Sequence, residues 1–206
     1  MNDLYERQKF TAIEIPGKIE IPEYVKRAEG GPIGYFFSIL SKYKQISFCK
    51  DYYSEQGCLS PMMWGLYARN EEGICMEFDS RKLLSKRDLF CGSVKYKQVK
   101  PIPLDGNDFE SEISIEKAIK RNRKEVFFSK HPHWKSENEY RVISPILPSL
   151  SIKEAVTCVY LQEPMNKEAE LRIKLVKKLV ESDRIPIRFI GVCENNGCCK
   201  LSIIDI

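Results

Sequence analysis

The spacing of apolar and polar residues along this chain changes between two periods, and each period predicts a type of element. Apolar residues recur every third or fourth position where a helix buries one face, and every second position where a strand does. The helical period predicts helices over 32–43, 61–67, 111–130 and 165–181, with one further turn over 80–84. The period of two predicts strands over 45–50, 73–79, 91–99, 139–146 and 155–162.

The C-terminus carries two more β-rich runs, 187–193 and 198–204, separated by Glu194-Asn195-Asn196-Gly197. Because Asn and Gly tolerate positive φ, this spacer predicts a tight turn and therefore a C-terminal β-hairpin. Strands separated by helices in an irregular order predict an α+β fold with about five helices and a mixed, mostly antiparallel sheet. The length of 206 residues predicts a single domain over 1–206.

Composition places the chain among globular proteins, with 43% hydrophobic and 30% charged residues. The apolar runs are shorter than the roughly 20 residues that cross a bilayer, and the first residues, which include Asp3 and Glu6, do not form a secretory signal. These features predict a cytoplasmic protein without a membrane partner. In that compartment the eight cysteines are expected as reduced thiols, with a redox role of the cluster Cys193, Cys198 and Cys199 left open.

The formal net charge of +4 is too small to identify a nucleic-acid-binding protein. A basic run in the predicted helix 111–130 departs from this balance, and it contains Lys117, Lys120, Arg121, Arg123 and Lys124. A solvated helix face explains such a run most simply. The alternative is an interaction surface for nucleic-acid phosphates or for another protein.

Several familiar kinds of functional site are excluded because the chain lacks their sequence motifs. The chain contains neither a glycine-rich phosphate loop, nor a G-x-S-x-G elbow, nor a paired C-x-x-C. His131 and His133 are the only histidines, and the neighbouring sequence offers no third ligand, so no metal site is predicted.

The strand predicted at 139–146 and the residues before it concentrate charged side chains. In extended geometry Glu137, Glu139 and Arg141 lie on one face, with Tyr140 and Val142 on the other. If the Tyr140 side is buried, the two carboxylates and the guanidinium line an exposed or cleft-facing surface suited to a sugar hydroxyl and a phosphate. An ordinary polar strand face with cross-strand pairs is the alternative.

Two aromatic residues in the helix predicted at 61–67 form a second candidate. Trp64 and Tyr67 are three residues apart and therefore lie on neighbouring parts of one helix face. Such residues usually pack in the core. They would stack on a planar base or a nicotinamide only where the helix borders a cleft.

Several segments together resemble a bacterial domain of unknown function, family 2971. They are Ser47-Phe48-Cys49, 63–68, 73–79, Val94-Lys95-Tyr96, Lys130 and 134–141. The resemblance covers about 45–145. Asn2-Asp3-Leu4-Tyr5-Glu6 is similar to a box that members carry after a further strand and helix, which implies an N-terminally shortened member, while Leu66 and Glu71 stand where members often have histidine.

The family has no settled activity, but its layout resembles ADP-ribosyltransferase-like proteins of toxin or phage-defence systems, which split NAD. The resemblance implies that Glu139, or Glu137 beside it, stabilises the oxocarbenium character that develops on the ribose. Further residues are implied to bind the substrate: Arg141 on pyrophosphate, Trp64 and Tyr67 around nicotinamide, and Trp134, Asn2 and Asp3. NAD would then be a substrate and not a resident cofactor. A third hypothesis, nucleotide hydrolysis with a divalent ion, lacks a dense acidic cluster.

Overall fold

The computed structural model describes residues 13–14, 20–51, 56–68, 73–85, 89–98, 100–145, 152, 154–164, 166–181, 183–195 and 197–204. Asn2 and Asp3, with the box around them, lie outside these residues. Within the described ranges the strands are β1 Ile13–Glu14, β2 Lys44–Cys49, β3 Ile74–Phe78, β4 Phe90–Ser93, β5 Lys95–Tyr96, β6 Ile102–Pro103, β7 Ser129–Lys130, β8 Glu139–Ser144, β9 Val156–Gln162, β10 Ile187–Asn195 and β11 Cys198–Ile204.

The α-helices are Glu23–Lys26, Gly31–Leu40, Pro61–Tyr67, Ser80–Leu83, Glu112–Arg121, Arg123–Phe127 and Lys167–Glu181. Short 3-10 helices occupy Gly57–Leu59, Gly106–Phe109 and Pro132–Glu137. The α+β class predicted from the sequence is confirmed. Among these helices none is both long and apolar enough to cross a bilayer.

Contacts between residues divide the chain into two compact units. The first takes its residues from 1–48 and 88–149, and the second from 49–87 and 150–206. Because two compact units can belong to one domain or to two, the single domain over 1–206 stays a prediction.

The first unit contains three small sheets and a helical core. Strands β2, β8 and β4 form one sheet, in which β4 and β8 run antiparallel, while β1 pairs parallel with β6 and β5 pairs parallel with β7. The helix Gly31–Leu40, with Pro32 in its first turn, buries Phe36 and Ile39. The helix Glu112–Arg121 starts at Ser111, whose hydroxyl accepts a hydrogen bond from the Ser114 N–H, and buries Ile115, Ala118 and Ile119.

The single helix predicted over 111–130 is wrong. The chain leaves the helical conformation at Asn122, whose Nδ2 donates to the Ala118 carbonyl at 3.0 Å. A second short helix ends at Phe127, where the Ser129 hydroxyl donates to the Lys124 carbonyl at 2.9 Å, and Lys130 lies in β7. Asn and Ser bond to nearby backbone in this way and so compete with a continuous helix.

The strand predicted over 91–99 is divided because the chain changes partner at Val94. Residues of β4 pair with β8, whereas those of β5 pair with β7. Between them, the Val94 N–H donates to the Glu139 carbonyl at 2.9 Å and the Lys95 N–H donates to the Phe128 carbonyl at 2.8 Å. This change of partner brings β7 and the start of β8, and therefore Lys130 and Glu139, to one segment of chain.

The second unit is built on the sheet β11-β10-β9-β3. Strand β9 is parallel to β10, and the other two pairs are antiparallel, which confirms a mixed, mostly antiparallel sheet. The hairpin of β10 and β11 is also confirmed, with Gly197 at φ 73° in its turn. The helix Lys167–Glu181, capped by Asn166 Oδ1 on the Ala169 N–H, packs on the sheet face of Val159, Leu161 and Phe189.

Candidate functional site

Four charged residues lie together in the interior of the first unit. Lys130, Glu137, Glu139 and Arg141 are between 1% and 4% exposed, and we refer to them as the buried charge cluster. The 3-10 helix Pro132–Glu137 delivers Glu137, and Asn138, at φ 44°, turns the chain into β8, which carries Glu139 and Arg141. With two cations and two carboxylates the cluster has no net formal charge.

Arg141 is the most fully bonded member of the cluster. Its Nε and Nη2 donate to Oε1 and Oε2 of Glu139 at 2.7 and 2.9 Å, which is a bidentate ion pair. Its Nη1 donates to the Phe127 carbonyl at 2.9 Å, near the end of the second helix. Bidentate pairs of this kind are among the strongest side-chain interactions and fix the orientation of both groups.

Lys130 connects the two carboxylates. Its Nζ donates to Glu137 Oε2 at 2.6 Å and lies 3.6 Å from Glu139 Oε2. The same ammonium lies 4.8 Å from the ring centroid of Trp134, a cation–π distance. Removal of Lys130 would therefore leave carboxylate charge in the interior without its nearest cation.

The environment of Glu139 keeps its carboxylate ionised. Burial by itself raises the pKa of Glu139, but the hydrogen bonds and the charge of Arg141, with Ser47 and Lys130 adding to them, lower it below the ordinary glutamate value. The Glu139 N–H donates to the Tyr96 hydroxyl at 2.7 Å. Burial, together with the neighbouring carboxylates, raises the pKa of Tyr96 to about 12, so this phenol is neutral.

The exposed or cleft-facing charged surface predicted for Glu137, Glu139 and Arg141 is wrong. All three side chains are buried, and Glu137 belongs to a 3-10 helix and not to the strand. Val142, on the other face of β8, is buried as well. The charged side chains can be buried because Lys130 and the Phe127 carbonyl form hydrogen bonds with them. The alternation along the strand does not indicate these two partners. The catalytic and binding roles of these residues stay predictions.

Trp64 and Tyr67 have different environments in the second unit. Trp64 is 7% exposed, packs against Ala68 and Tyr160, and donates its indole N–H to the Cys58 carbonyl at 2.6 Å, which confirms the core alternative. Tyr67 is 43% exposed. A nicotinamide contact of these two residues stays a prediction, as does a binding role of half-buried Trp134.

The second unit contains a polar network that the sequence reasoning missed. Glu77 accepts a hydrogen bond from the Tyr160 hydroxyl at 2.5 Å and another from the Thr157 hydroxyl at 2.8 Å. Burial and the Glu77 hydrogen bond both raise the pKa of Tyr160. The antiparallel pairing of β3 with β9 brings these residues together. In the sequence, the only indication of this network is that Glu77 lies on the polar side of its predicted strand.

The basic run lies on the surface of the first unit. Lys117, Lys120, Arg121, Arg123 and Lys124 are all exposed. Arg121 forms an ion pair with Asp108, to which it donates two hydrogen bonds at 3.1 and 2.8 Å. The other four form no ion pair with any described residue. We refer to Lys117, Lys120, Arg123 and Lys124 as the basic surface.

The described residues contain no group of three His, Cys, Asp or Glu side chains that could hold a metal ion. His131 and His133 contact each other edge to face, with ring centroids 4.5 Å apart. All eight cysteines are free thiols, with Cys198 and Cys199 exposed and Cys193 half-buried.

Comparison with known proteins finds one family model that is similar to the middle of the chain. A family model described as "Protein of unknown function (DUF2971)" matches residues 63–142, a segment that includes the whole buried charge cluster. No curated protein and no solved structure matches the chain. Residues 63–142 of this chain are therefore similar to the DUF2971 family of proteins of unknown function.

Proposed function

We propose that this protein binds nucleic acid through its phosphates, using the basic surface. The observation that carries the proposal is that these four exposed cations have no carboxylate partner among the described residues. Buried Ile115 and Ile119 fix one face of the first helix against the core, so Lys117 and Lys120 project from the opposite face. Arg123 and Lys124 continue the surface on the next helix.

Neighbouring carboxylates leave this surface positive. Glu112 pairs with Lys42, and Glu125 pairs with Lys97, so two of the acidic residues along these helices are neutralised by cations from other segments. Lys and Arg contacts to phosphate supply most sequence-independent affinity for nucleic acid because they release condensed counterions. The surface therefore suits a phosphate backbone better than a particular base sequence.

The test is the salt dependence of binding to a fluorescein-labelled DNA duplex, measured by fluorescence anisotropy. Four neutralised phosphates predict that log K falls with log salt concentration at a slope of about −3.6. Replacing the four cations of the basic surface by Gln should remove most of that slope and most of the affinity.

A matched control keeps the change of net charge the same. Lys167, Lys174, Lys177 and Lys178 are four exposed lysines on the helix of the second unit, and their replacement by Gln should leave the slope near that of the unmodified protein. Absence of binding at low salt would refute the proposal. So would equal losses of affinity in the two quadruple variants, because the effect would then reflect net charge alone.

ADP-ribosyl transfer from NAD is the second candidate, and the buried charge cluster is the observation that favours it. Charges in a protein interior are costly and add little net stability even when paired, and ionisable groups with shifted pKa values are concentrated at functional sites. In this candidate Glu139 stabilises the oxocarbenium character of the ribose and Arg141 binds pyrophosphate. Because both side chains are buried, NAD reaches them only after the cluster opens.

Calorimetric titration with millimolar NAD, together with chromatographic detection of released nicotinamide, tests this second candidate. The unmodified protein should bind NAD and release nicotinamide. The Glu139→Gln variant should bind NAD without releasing nicotinamide. Glu125→Gln is the matched control, since it removes a more exposed carboxylate that pairs with Lys97 in the same unit. If the unmodified protein gives no heat of NAD binding and releases no nicotinamide, ADP-ribosyl transfer is eliminated.

A further inference from the structure

Strand β3 forms one edge of the sheet β11-β10-β9-β3, and its only strand partner among the described residues is β9. An edge strand presents backbone N–H and C=O groups to a further strand, and natural proteins usually protect such an edge with lysine or proline. The other edge strand, β11, carries exposed Lys200. Strand β3 contains no lysine, arginine or proline. Its outer edge is therefore open to pairing with another strand.

The hydrogen bonds of β9 show which backbone groups of β3 point outward. The Val159 N–H donates to the Pro186 carbonyl at 2.9 Å, and the Glu163 N–H donates to the Ile190 carbonyl at 3.0 Å. The odd-numbered residues of β9 therefore bond toward β10. Its even-numbered residues bond toward β3, because the backbone groups of successive residues alternate between the two sides of a strand.

Ile74 and Met76 direct their backbone groups to the outer edge of β3. Cys75 and Glu77 lie opposite even-numbered residues of β9 and bond toward that strand. Ile74 and Met76 alternate with them, so their N–H and C=O groups point away from β9. Their side chains lie on the sheet face that packs against the helix Lys167–Glu181, and they are 49% and 39% exposed. The outer edge thus combines outward backbone groups with exposed apolar side chains.

We propose that β3 pairs with β3 of a second copy of this chain, antiparallel and across a two-fold axis at Met76. In this register Met76 lies opposite Met76 of the second copy, and the two residues exchange both backbone hydrogen bonds. Ile74 lies opposite Phe78 of the second copy, so apolar side chains meet across the new strand pair. All five residues of β3 are paired, and the two four-stranded sheets become one sheet of eight strands.

The charge on β3 is compatible with pairing to itself in this register. Glu77 lies opposite Cys75 of the second copy, so the two Glu77 carboxylates do not face each other directly. Each carboxylate also accepts hydrogen bonds from Tyr160 and Thr157 of its own sheet. A two-fold axis at Glu77 would instead place like charges directly opposite, which is destabilising. The pattern of β3 therefore favours the axis at Met76 over one at Glu77.

Sedimentation velocity tests the proposal on the unmodified protein from low micromolar concentration to about 500 µM. Five residues a side make a small interface compared with the roughly 20–30 of a stable complex, so we expect a weak, concentration-dependent dimer. Met76→Lys should stay monomeric throughout, because two lysines would lie opposite each other. Val192→Lys is the matched control. It adds the same charge at a residue of β10 that is 68% exposed, and it should dimerise like the unmodified protein.

A mixture of two variants separates the loss of pairing at Met76 from a loss of folding. Met76→Glu should also be monomeric by itself, because two carboxylates would lie opposite each other. An equimolar mixture of Met76→Lys and Met76→Glu should form a mixed dimer, since a lysine then lies opposite a glutamate. Misfolded variants would not recover association in this way.

Three outcomes would overturn the proposal. A monomer over the whole concentration range would leave this edge to an extended segment of a different protein. Dimerisation of Met76→Lys equal to that of the unmodified protein would place the interface elsewhere in the chain. A mixture that stays monomeric while the unmodified protein dimerises would mean that Met76 does not lie opposite Met76 of the second copy.

Discussion

Replacement of Arg141 by Met is expected to lower the free energy of unfolding by about 3–5 kcal/mol, the usual cost of removing one partner of a buried ion pair. The change deletes both hydrogen bonds to Glu139 and the one to the Phe127 carbonyl, and it leaves a carboxylate in the interior. Urea unfolding measures the effect as a lower midpoint with an unchanged dependence on denaturant concentration.

An exposed ion pair of the same unit provides the control. Lys26 pairs with Glu23 at 2.8 Å, and both side chains are more than half exposed. Lys26→Met should therefore change the free energy of unfolding by no more than about 0.5 kcal/mol. A loss below about 1 kcal/mol for Arg141→Met would contradict the expectation and would mean that the cluster is hydrated in solution.

The deficit of Arg141→Met should also depend on pH. The folded protein holds the pKa of Glu139 below its ordinary value, near about 4.3 in an unfolded chain. A carboxylate of this kind adds stability above its unfolded pKa, and that contribution is lost as the pH falls through the unfolded value toward the folded one. The difference between the two proteins should therefore be largest near neutral pH and shrink below about pH 4.

Elements with local signals could be predicted from the sequence. The helix Pro61–Tyr67 starts at a proline and carries a regular apolar face, and the hairpin of β10 and β11 is specified by the residues around Gly197. The interruptions could not be predicted in the same way. Asn122 ends a helix inside a run of helix-forming residues, and Val94 separates two strands because their partners differ. The break at Asn122 involves a local side-chain bond to the Ala118 carbonyl, which a helical period does not reveal, and the break at Val94 depends on tertiary strand pairing.

The candidate site illustrates the same limit for charged side chains. The sequence predicts that Glu139 and Arg141 lie on one face of a strand, but it does not predict that this face is buried. An alternation with a period of two assigns residues to two faces without indicating which face is covered. Lys130 was missed as a site residue because the helix predicted over 111–130 extended to it. Only the pairing of β5 with β7 brings its ammonium to the carboxylates.

Replacing the ion pair of Lys130 and Glu137 by two apolar residues tests whether the buried charge cluster is needed for stability. Lys130→Met alone should lower the free energy of unfolding by about 3–5 kcal/mol, because Glu137 remains buried without its cation. Lys130→Met combined with Glu137→Met should recover most of that loss, since buried ion pairs replaced by apolar residues of similar volume often keep or increase stability. Urea unfolding of both variants measures the recovery.

The result bears directly on the second candidate function. If the apolar pair restores stability, the fold does not require the ion pair of Lys130 and Glu137, and ADP-ribosyl transfer keeps the observation that favours it. If the double variant stays as unstable as Lys130→Met, the cluster is a structural support. ADP-ribosyl transfer would then lose the observation that favours it, while the basic surface would be unaffected because its four cations take no part in the cluster.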